Sequence, residues 1–340
     1  MAINVSIVGA TGYTGQELIE VLLRHPDVRL TGLYSTTDKP QKIWDLIPSL
    51  KNKTDLICKK LDKKDIVSGK SDVVFLALPH TFAMDIVADL LKAGKYVIDL
   101  SADYRIKNTK VYEQAYNIKH KDKGNLLKAV YGLPELYRSK IKGAKLVANP
   151  GCYPTAAILA LAPLVALGLI DPDSIIIDAK SGTTGAGKKA EKELLFSEID
   201  ENFCAYKVNS HQHMPEIDQE LAKLAGKNLK VVFVPHLLPL KRGILETVYA
   251  KVKGSKQKFD FVSLCGKFYK KEPFVRIRQE GDWPCLKDVT GTNFCDISMK
   301  AFGENIIIVS AIDNLLKGAS GQAVQNMNII FGLEESLGLR

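Results

Sequence analysis

Val147-Ala148-Asn149-Pro150-Gly151-Cys152-Tyr153-Pro154-Thr155 runs from the end of an apolar strand into a segment that is almost wholly apolar from Ala156 to Ile170. Thr155 reads as the N-cap of a helix, which puts Cys152 just outside a helix N-terminus, where N–H groups and the macrodipole favour an anion such as a thiolate. That field contributes at most about 2 kcal/mol, so a basic partner is needed to keep the thiol ionised. The chain offers one in Asn209-Ser210-His211-Gln212-His213-Met214-Pro215-Glu216-Ile217, where two of its six histidines stand close together. Cysteine with histidine is a nucleophile with its base. The competing reading is a buried, inert thiol. Against it, Pro150-Gly151 before the cysteine and Pro154 after it make a stiff corner that holds the sulfur at a loop.

Towards the N-terminus, Ile3 to Val8 is a short apolar strand followed by Gly9, Gly12 and Gly15 and then a helix through Leu18, Val21, Leu22 and Leu23 that stops before Pro26. Strand, glycine turn and helix in this order form a dinucleotide-binding unit, in which the backbone approaches a pyrophosphate at the helix N-terminus. The spacing is Gly-x-x-Gly-x-x-Gly rather than Gly-x-Gly-x-x-Gly, and a plain tight turn is the alternative. The next strand, Val28 to Leu33, leads into Ser35, Thr36 and Thr37, with no acid where one would bind a ribose 2'-hydroxyl; Asp38 follows and Lys39 is nearby. This favours NADP(H) over NAD(H). Asp72 to Pro79 is a continuous apolar run, as a buried parallel strand should be, followed by a helix from Phe82 to Ala93 and a further strand from Tyr96 to Leu100. Arg105 lies beyond it, where a surface ion pair is the reading that its neighbours alone support. His25 and His120 sit in polar surroundings and read as surface residues.

Beyond the cysteine corner the pattern changes. Ser174 to Ala179, Leu229 to Val234, Ile244 to Val252, Asn293 to Met299 and Ile306 to Ile312 read as strands with fewer helices between them. The expected fold class is therefore α/β, with an N-terminal Rossmann-type dinucleotide-binding domain and an α+β second domain built on a mostly antiparallel sheet. Ser181 to Lys188 is a second glycine-rich loop whose N–H groups could face an anion, or a flexible connection. With no Pro/Gly/Ser linker between the halves, the domains are expected to share an interface holding the active cleft.

At 340 residues, 46% hydrophobic and 25% charged, the chain has an ordinary globular composition and enough length for two domains. Its six cysteines contain no Cys-x-x-Cys pair, which argues for a reducing compartment and against a metal site. No export signal and no membrane span is read, so a cytoplasmic protein is expected. The net charge of +9 is spread over many segments, and clusters such as Lys119–Lys123 and Lys251–Lys258 lack interleaved aromatics, so solvated faces are expected rather than nucleic-acid binding.

Asn149-Pro-Gly-Cys-Tyr-Pro-Thr155 followed by an apolar helix resembles the active-site signature of the N-acetyl-gamma-glutamyl-phosphate reductases, within the semialdehyde dehydrogenase superfamily. Gly9-Ala-Thr-Gly-Tyr-Thr-Gly15, Tyr131-Gly-Leu-Pro-Glu-Leu-Tyr-Arg138, Ser181-Gly-Thr-Thr-Gly-Ala-Gly-Lys188, His211-Gln-His-Met-Pro-Glu-Ile217 and Asp313-Asn-Leu-Leu-Lys-Gly-Ala-Ser-Gly-Gln-Ala-Val-Gln-Asn-Met-Asn328 look like the same family, so the likeness spans nearly the whole chain. The resemblance implies an NADPH-dependent reduction of an acyl phosphate to an aldehyde through a Cys152 thioester, with His213 as acid/base and His211 as the second candidate. It implies a cofactor site of Gly9, Thr11, Gly12, Tyr13, Thr14, Gly15, Ser35, Thr36, Thr37, Ser181, Gly182 and Asn314, and substrate contacts from Arg105, Asn149 and Lys188. A long helix from Leu315 to Gly332 would return to the first domain, giving an NADP-binding domain of residues 1–149 and 314–340 and a catalytic and oligomerisation domain of 150–313. A homodimer or homotetramer taking a small acyl phosphate is expected, with no metal. The rival enzymes are a reductase of a carrier-linked aminoadipyl or glutamyl phosphate and aspartate-semialdehyde dehydrogenase; a non-enzymatic NADP sensor is the remaining alternative.

Overall fold

The run Val73–Leu76 has no exposed residue, because it is a central strand covered on both faces. It belongs to the first of two compact units in the computed structural model, which describes residues 2–188, 191–254 and 259–339. One unit comprises Met1–Pro150 and Ala319–Arg340, the other Gly151–Gly318. The chain thus changes unit one residue before Cys152 and returns after Gly318, so that Asn314 to Gly318 stay with the second unit. Positions 255–258 of the Lys251–Lys258 cluster lie outside the described residues.

In the first unit the strands are β1 (Ile3–Val8), β2 (Val28–Ser35), β3 (Gln41–Lys42), β4 (Ile57–Lys60), β5 (Val73–Leu76), β6 (Tyr96–Asp99), β7 (Val130–Tyr131) and β8 (Leu146–Ala148). They form one sheet in the order β3-β4-β2-β1-β5-β6-β8-β7, parallel throughout except for the β3–β4 edge. The order reverses at β1, the switch point at which open α/β sheets bind ligands beyond their C-terminal strand ends. Helix Phe82–Lys92 buries Ala83, Ile86, Val87 and Leu90 against Val74, Leu76 and Val97. Helix Gly321–Phe331 is buried all round despite Gln322, Gln325, Asn326 and Asn328. Two of these amides are spent on main chain and on other amides: Asn326 bonds Gly132 O and Asn149 Oδ1, and Asn328 bonds Glu335 O and Leu337 O. His25 and His120 are buried rather than exposed, because Asn328 Oδ1 lies 3.0 Å from one ring and Asp103 O 2.6 Å from the other.

In the second unit β9 (Ile170–Gly182), β10 (Cys204–Ala205), β11 (Val232–Leu238), β12 (Ile244–Val252), β13 (Val275–Ile277), β14 (Cys295–Phe302) and β15 (Asn305–Ile312) form a sheet in the order β10-β11-β9-β12-β15-β14-β13. Four of its pairings are antiparallel, while β9–β11 and β13–β14 are parallel, so the sheet is mixed. Residues alternate between a buried face, with Ile177, Val248 and Ile308 in register, and an outer face, with Val232, Ile176, Tyr249 and Ile307 in register. Of that outer row, Val232, Ile176 and Tyr249 are 45%, 43% and 41% exposed. The buried face carries the apolar helix Cys152–Ala166, whose residues from Tyr153 to Val165 are all buried. Pro163 inside this helix cannot donate to Leu159 O, and the Tyr269 hydroxyl does so instead at 2.7 Å.

Candidate active site

The helix begins at Cys152 itself, with Gly151 as N-cap, and not at Thr155 as expected. The first three helical residues need no N–H partner within the helix, so Pro154 fits the third position at no cost, and Thr155 N donates the first helical bond to Gly151 O at 3.0 Å. Thr155 Oγ1 donates to the same carbonyl at 2.8 Å. Cys152 therefore sits in the first turn, closer to the N–H groups than a residue outside the helix would be, and it is half-buried. Gly318 closes the other side of the corner: a Cβ there would lie 2.8 Å from Cys152 Cβ and 3.2 Å from its Cα.

The Gly151 N–H donates to Glu216 Oε1 at 2.9 Å, which ties the corner to helix Met214–Ala225. Glu216 is fully buried. His213 is the N-cap of that helix, and His211 lies two residues before it. The Tyr153 ring meets His211 at 5.4 Å, His213 at 6.0 Å and Phe233 at 5.3 Å, and the two imidazoles are 4.9 Å apart. Both histidines are thus packed on the residue next to the thiol. They differ in environment: His211 is 6% exposed, and burial together with Lys207 pushes its pKa down to about 4. Its Nδ1 accepts the His213 N–H at 3.1 Å, which leaves the proton on Nε2. The Tyr153 hydroxyl is 3.1 Å from that of Tyr206, whose pKa burial and the nearby Cys152 raise to about 12. Tyr206 and Glu216 are site residues that pattern reading did not single out. Glu216 stands inside the quoted His-x-His-x-Pro-Glu stretch, so its place was visible and its role was not.

Ser181 is buried, with Oγ donating to Gly182 O at 2.9 Å. The N–H groups of Gly182, Thr183 and Thr184 donate to Gly243 O, Leu240 O and Lys241 O, so this stretch of the loop is satisfied by main chain rather than turned to an anion. Asn314 is spent in the same place, accepting from Gly243 N at 2.7 Å and donating to Thr184 Oγ1 at 3.0 Å. Lys188 is exposed at the end of this loop.

In the first unit Gly9, Thr11, Gly12, Tyr13, Thr14 and Gly15 form the turn from β1 into helix Tyr13–Leu23, with Gly12 as an N-cap lacking a side-chain cap. Gly9 has φ +95°, and a Cβ on it would fall 2.1 Å from Ala77 O; one on Gly15 would fall 2.2 Å from Gly9 O. Only glycine fits either position, and the result is bare backbone at a helix N-terminus, which suits a pyrophosphate. Gly9 and Ala10 N–H both donate to Tyr34 O, placing the turn beside the end of β2. There Ser35 is buried, its Oγ accepting from Thr37 N and from Cys58 Sγ, while Thr36 is exposed and Thr37 Oγ1 bonds Lys39 O and Gln41. Arg105 and Asn149 are also inward: Arg105 donates to Asn149 O and Leu100 O, each at 2.7 Å, and Asn149 donates to Ala319 O at 3.1 Å. Both side chains therefore brace the end of β8. Among the described residues no cluster of His, Cys, Asp or Glu is placed to hold a metal ion.

Residues 4–144 match the family described as semialdehyde dehydrogenase, NAD binding domain, and residues 152–314 the semialdehyde dehydrogenase dimerisation domain. N-acetyl-gamma-glutamyl-phosphate reductase of Desulforudis audaxviator is 50% identical over 99% of this chain and 98% of its own length. The reductase of Pelotomaculum thermopropionicum is 50% identical over 100% and 98%. Aspartate semialdehyde dehydrogenase II of Vibrio cholerae, complexed with ASA, superposes with a TM-score of 0.71 at 17% identity, covering 98% of this chain and 99% of that one. The Candida albicans enzyme with NADP gives 0.69 at 16%, covering 97% and 99%. At such identities these structures share the fold, whereas the reductases share half of all residues along the full length. The chain belongs to the N-acetyl-gamma-glutamyl-phosphate reductase family.

Proposed function

We propose that this protein reduces N-acetyl-gamma-glutamyl phosphate to N-acetylglutamate 5-semialdehyde and phosphate with NADPH, the third step of arginine biosynthesis. The observation that carries the reading is the Cys152 corner: a thiol in the first turn of a buried helix, its preceding N–H held by Glu216 and its neighbour Tyr153 packed on two histidines. The helix N-terminus favours the thiolate. Cys152 Sγ attacks the acyl carbon, the bond from that carbon to the phosphate oxygen breaks, and phosphate leaves with the electron pair, giving a thioester. NADPH, when bound, supplies the hydride that brings the thioester to the aldehyde level. His213 protonates the departing group, and the neutral His211 orients it by accepting its main-chain N–H. The glycine turn of the first unit fits the cofactor's pyrophosphate, since a Cβ at Gly9 or Gly15 would fill the space its backbone leaves.

The matched dimerisation domain supports a homo-oligomer. We place the contact between copies on the outer sheet face, along the row Val232, Ile176, Tyr249 and Ile307. A cytoplasmic site of action follows from the biosynthetic reaction proposed; no helix among the described residues is long and apolar enough to cross a membrane.

The test is run in the oxidative direction with NADP and phosphate, offering N-acetylglutamate 5-semialdehyde, aspartate semialdehyde and a carrier-linked semialdehyde. The first should have the highest kcat/KM, and turnover should require phosphate or arsenate. Preference for either of the others would refute the substrate, and steady turnover without either anion would refute thioester release by phosphate.

A further inference from the structure

We infer that Lys60, at the end of β4, is the cation that reads the cofactor's 2'-phosphate and so sets the preference for NADPH; this rests on the dinucleotide reading of the first unit. The hydroxyls beyond β2 are an incomplete explanation of that preference. Ser35 is 2% exposed and its Oγ accepts from Thr37 N at 3.3 Å and from Cys58 Sγ at 3.3 Å. Thr37 Oγ1 donates to Lys39 O at 3.0 Å and accepts from Gln41 at 2.7 Å. Two of the three hydroxyls are thus engaged within the turn, and a dianionic phosphate needs a positive partner.

β4 lies parallel to β2 with Leu33 opposite Cys58, Tyr34 opposite Lys59 and Ser35 opposite Lys60, and Leu61 N donates to Ser35 O at 2.8 Å. Side chains two apart on a strand share a face, and the contact of Cys58 with Ser35 shows which one, so Lys60 projects on the side of Ser35 at the C-terminal edge of the sheet. β1, β2 and β4 are consecutive in the sheet, each about 4.8 Å from the next, so the glycine turn, the Ser35–Thr37 turn and Lys60 stand in line along that edge. A nucleotide whose pyrophosphate is on the glycine turn and whose ribose crosses β2 directs its 2'-position towards β4. Three neighbouring lysines are already paired: Lys59 with Asp65 at 3.0 Å, Lys63 with Asp89 at 2.6 Å and Lys42 with Asp55 at 2.6 Å; Lys64 stands in the helix beyond β4 and not on the strand. Lys60 is exposed and makes no ion pair among the described residues. Lys39 shares that property but follows Asp38 on the turn itself, where the acid offsets it.

The experiment is direct binding by calorimetry, using adenosine 2',5'-bisphosphate and 5'-AMP on the full chain, with Lys60→Met and Lys39→Met beside the parent. The parent should bind the 2'-phosphorylated ligand more tightly. Lys60→Met should lose about tenfold for it and leave 5'-AMP unchanged, as expected for one charge-assisted contact at an exposed site. Lys39→Met should lose less. A parent that prefers the bisphosphate while Lys60→Met keeps the same preference overturns the inference and leaves the NADPH reading standing. A parent that binds both ligands equally overturns that reading, and the inference with it.

Discussion

Glu216 Oε1 accepts the main-chain N–H of Gly151 at 2.9 Å across 65 positions of sequence, and this bond fixes the residue on which the nucleophile's helix starts. Glu216→Ala would leave a buried N–H without its acceptor, at a cost of about 1–3 kcal/mol, and would loosen the Cys152 corner. Glu216→Gln keeps an oxygen in place. The expected order of kcat and of Cys152 alkylation rate is parent, then Gln, then Ala. Equal alkylation rates in all three would show that the bond does not position the thiol.

The two histidines should separate by role. His213→Asn is expected to lower kcat by about 10²-fold or more as the acid/base. His211→Asn should cost less, because a ring whose pKa is near 4 stays neutral and acts by holding its neighbour. A depressed pKa means that the unfolded chain takes up the proton first. His211 therefore contributes stability that is complete above about pH 6.5 and is lost as pH falls towards 4. His211→Asn should flatten the acid side of the stability curve in that window, measured by urea unfolding. A larger kcat loss in His211→Asn than in His213→Asn would reverse the roles.

Tyr269 supplies the donor that Pro163 lacks. Tyr269→Phe should cost about 1–3 kcal/mol by orphaning Leu159 O. Pro163→Ala restores the helical N–H, so combined with Tyr269→Phe it should recover part of the loss. Additive effects of the two substitutions in chemical unfolding would show that they do not share that carbonyl.

Glu246 lies on the inner face of β12 with no exposure, neither carboxyl oxygen meeting a hydrogen-bond partner among the described residues, and burial raises its pKa well above the ordinary range despite Lys180. The folded state therefore holds the proton more tightly than the unfolded chain. Its share of stability is fullest below pH 4.5 and declines as pH rises above that value, until the folded-state group ionises. Glu246→Gln or Glu246→Leu should be more stable than the parent at pH 8, with the difference vanishing near pH 4. A difference independent of pH would assign the gain to packing instead of ionisation.

The sequence by itself was enough for the features that depend on neighbours along the chain. A glycine turn after an apolar strand, a continuous run at Val73–Leu76 and a Pro-Gly-Cys corner before an apolar segment each carry their geometry locally, through φ restriction, hydrophobic period and helix-end chemistry. Thr155 reads as the cap because its side chain can accept an N–H, whereas Gly151 caps the helix without a side-chain bond and Pro154 fits within the first turn. Tertiary structure alone decided which polar side chains are spent on the main chain. Arg105, Asn149 and Asn314 each bond backbone that strand pairing and loop packing bring beside them, a contact that no neighbour in sequence indicates. The same holds for Glu216 on Gly151, Tyr269 on Leu159, and Lys60 in register with Ser35. These pairings are set by sheet register and helix packing over long sequence separations, and no local period records which residue will stand opposite which.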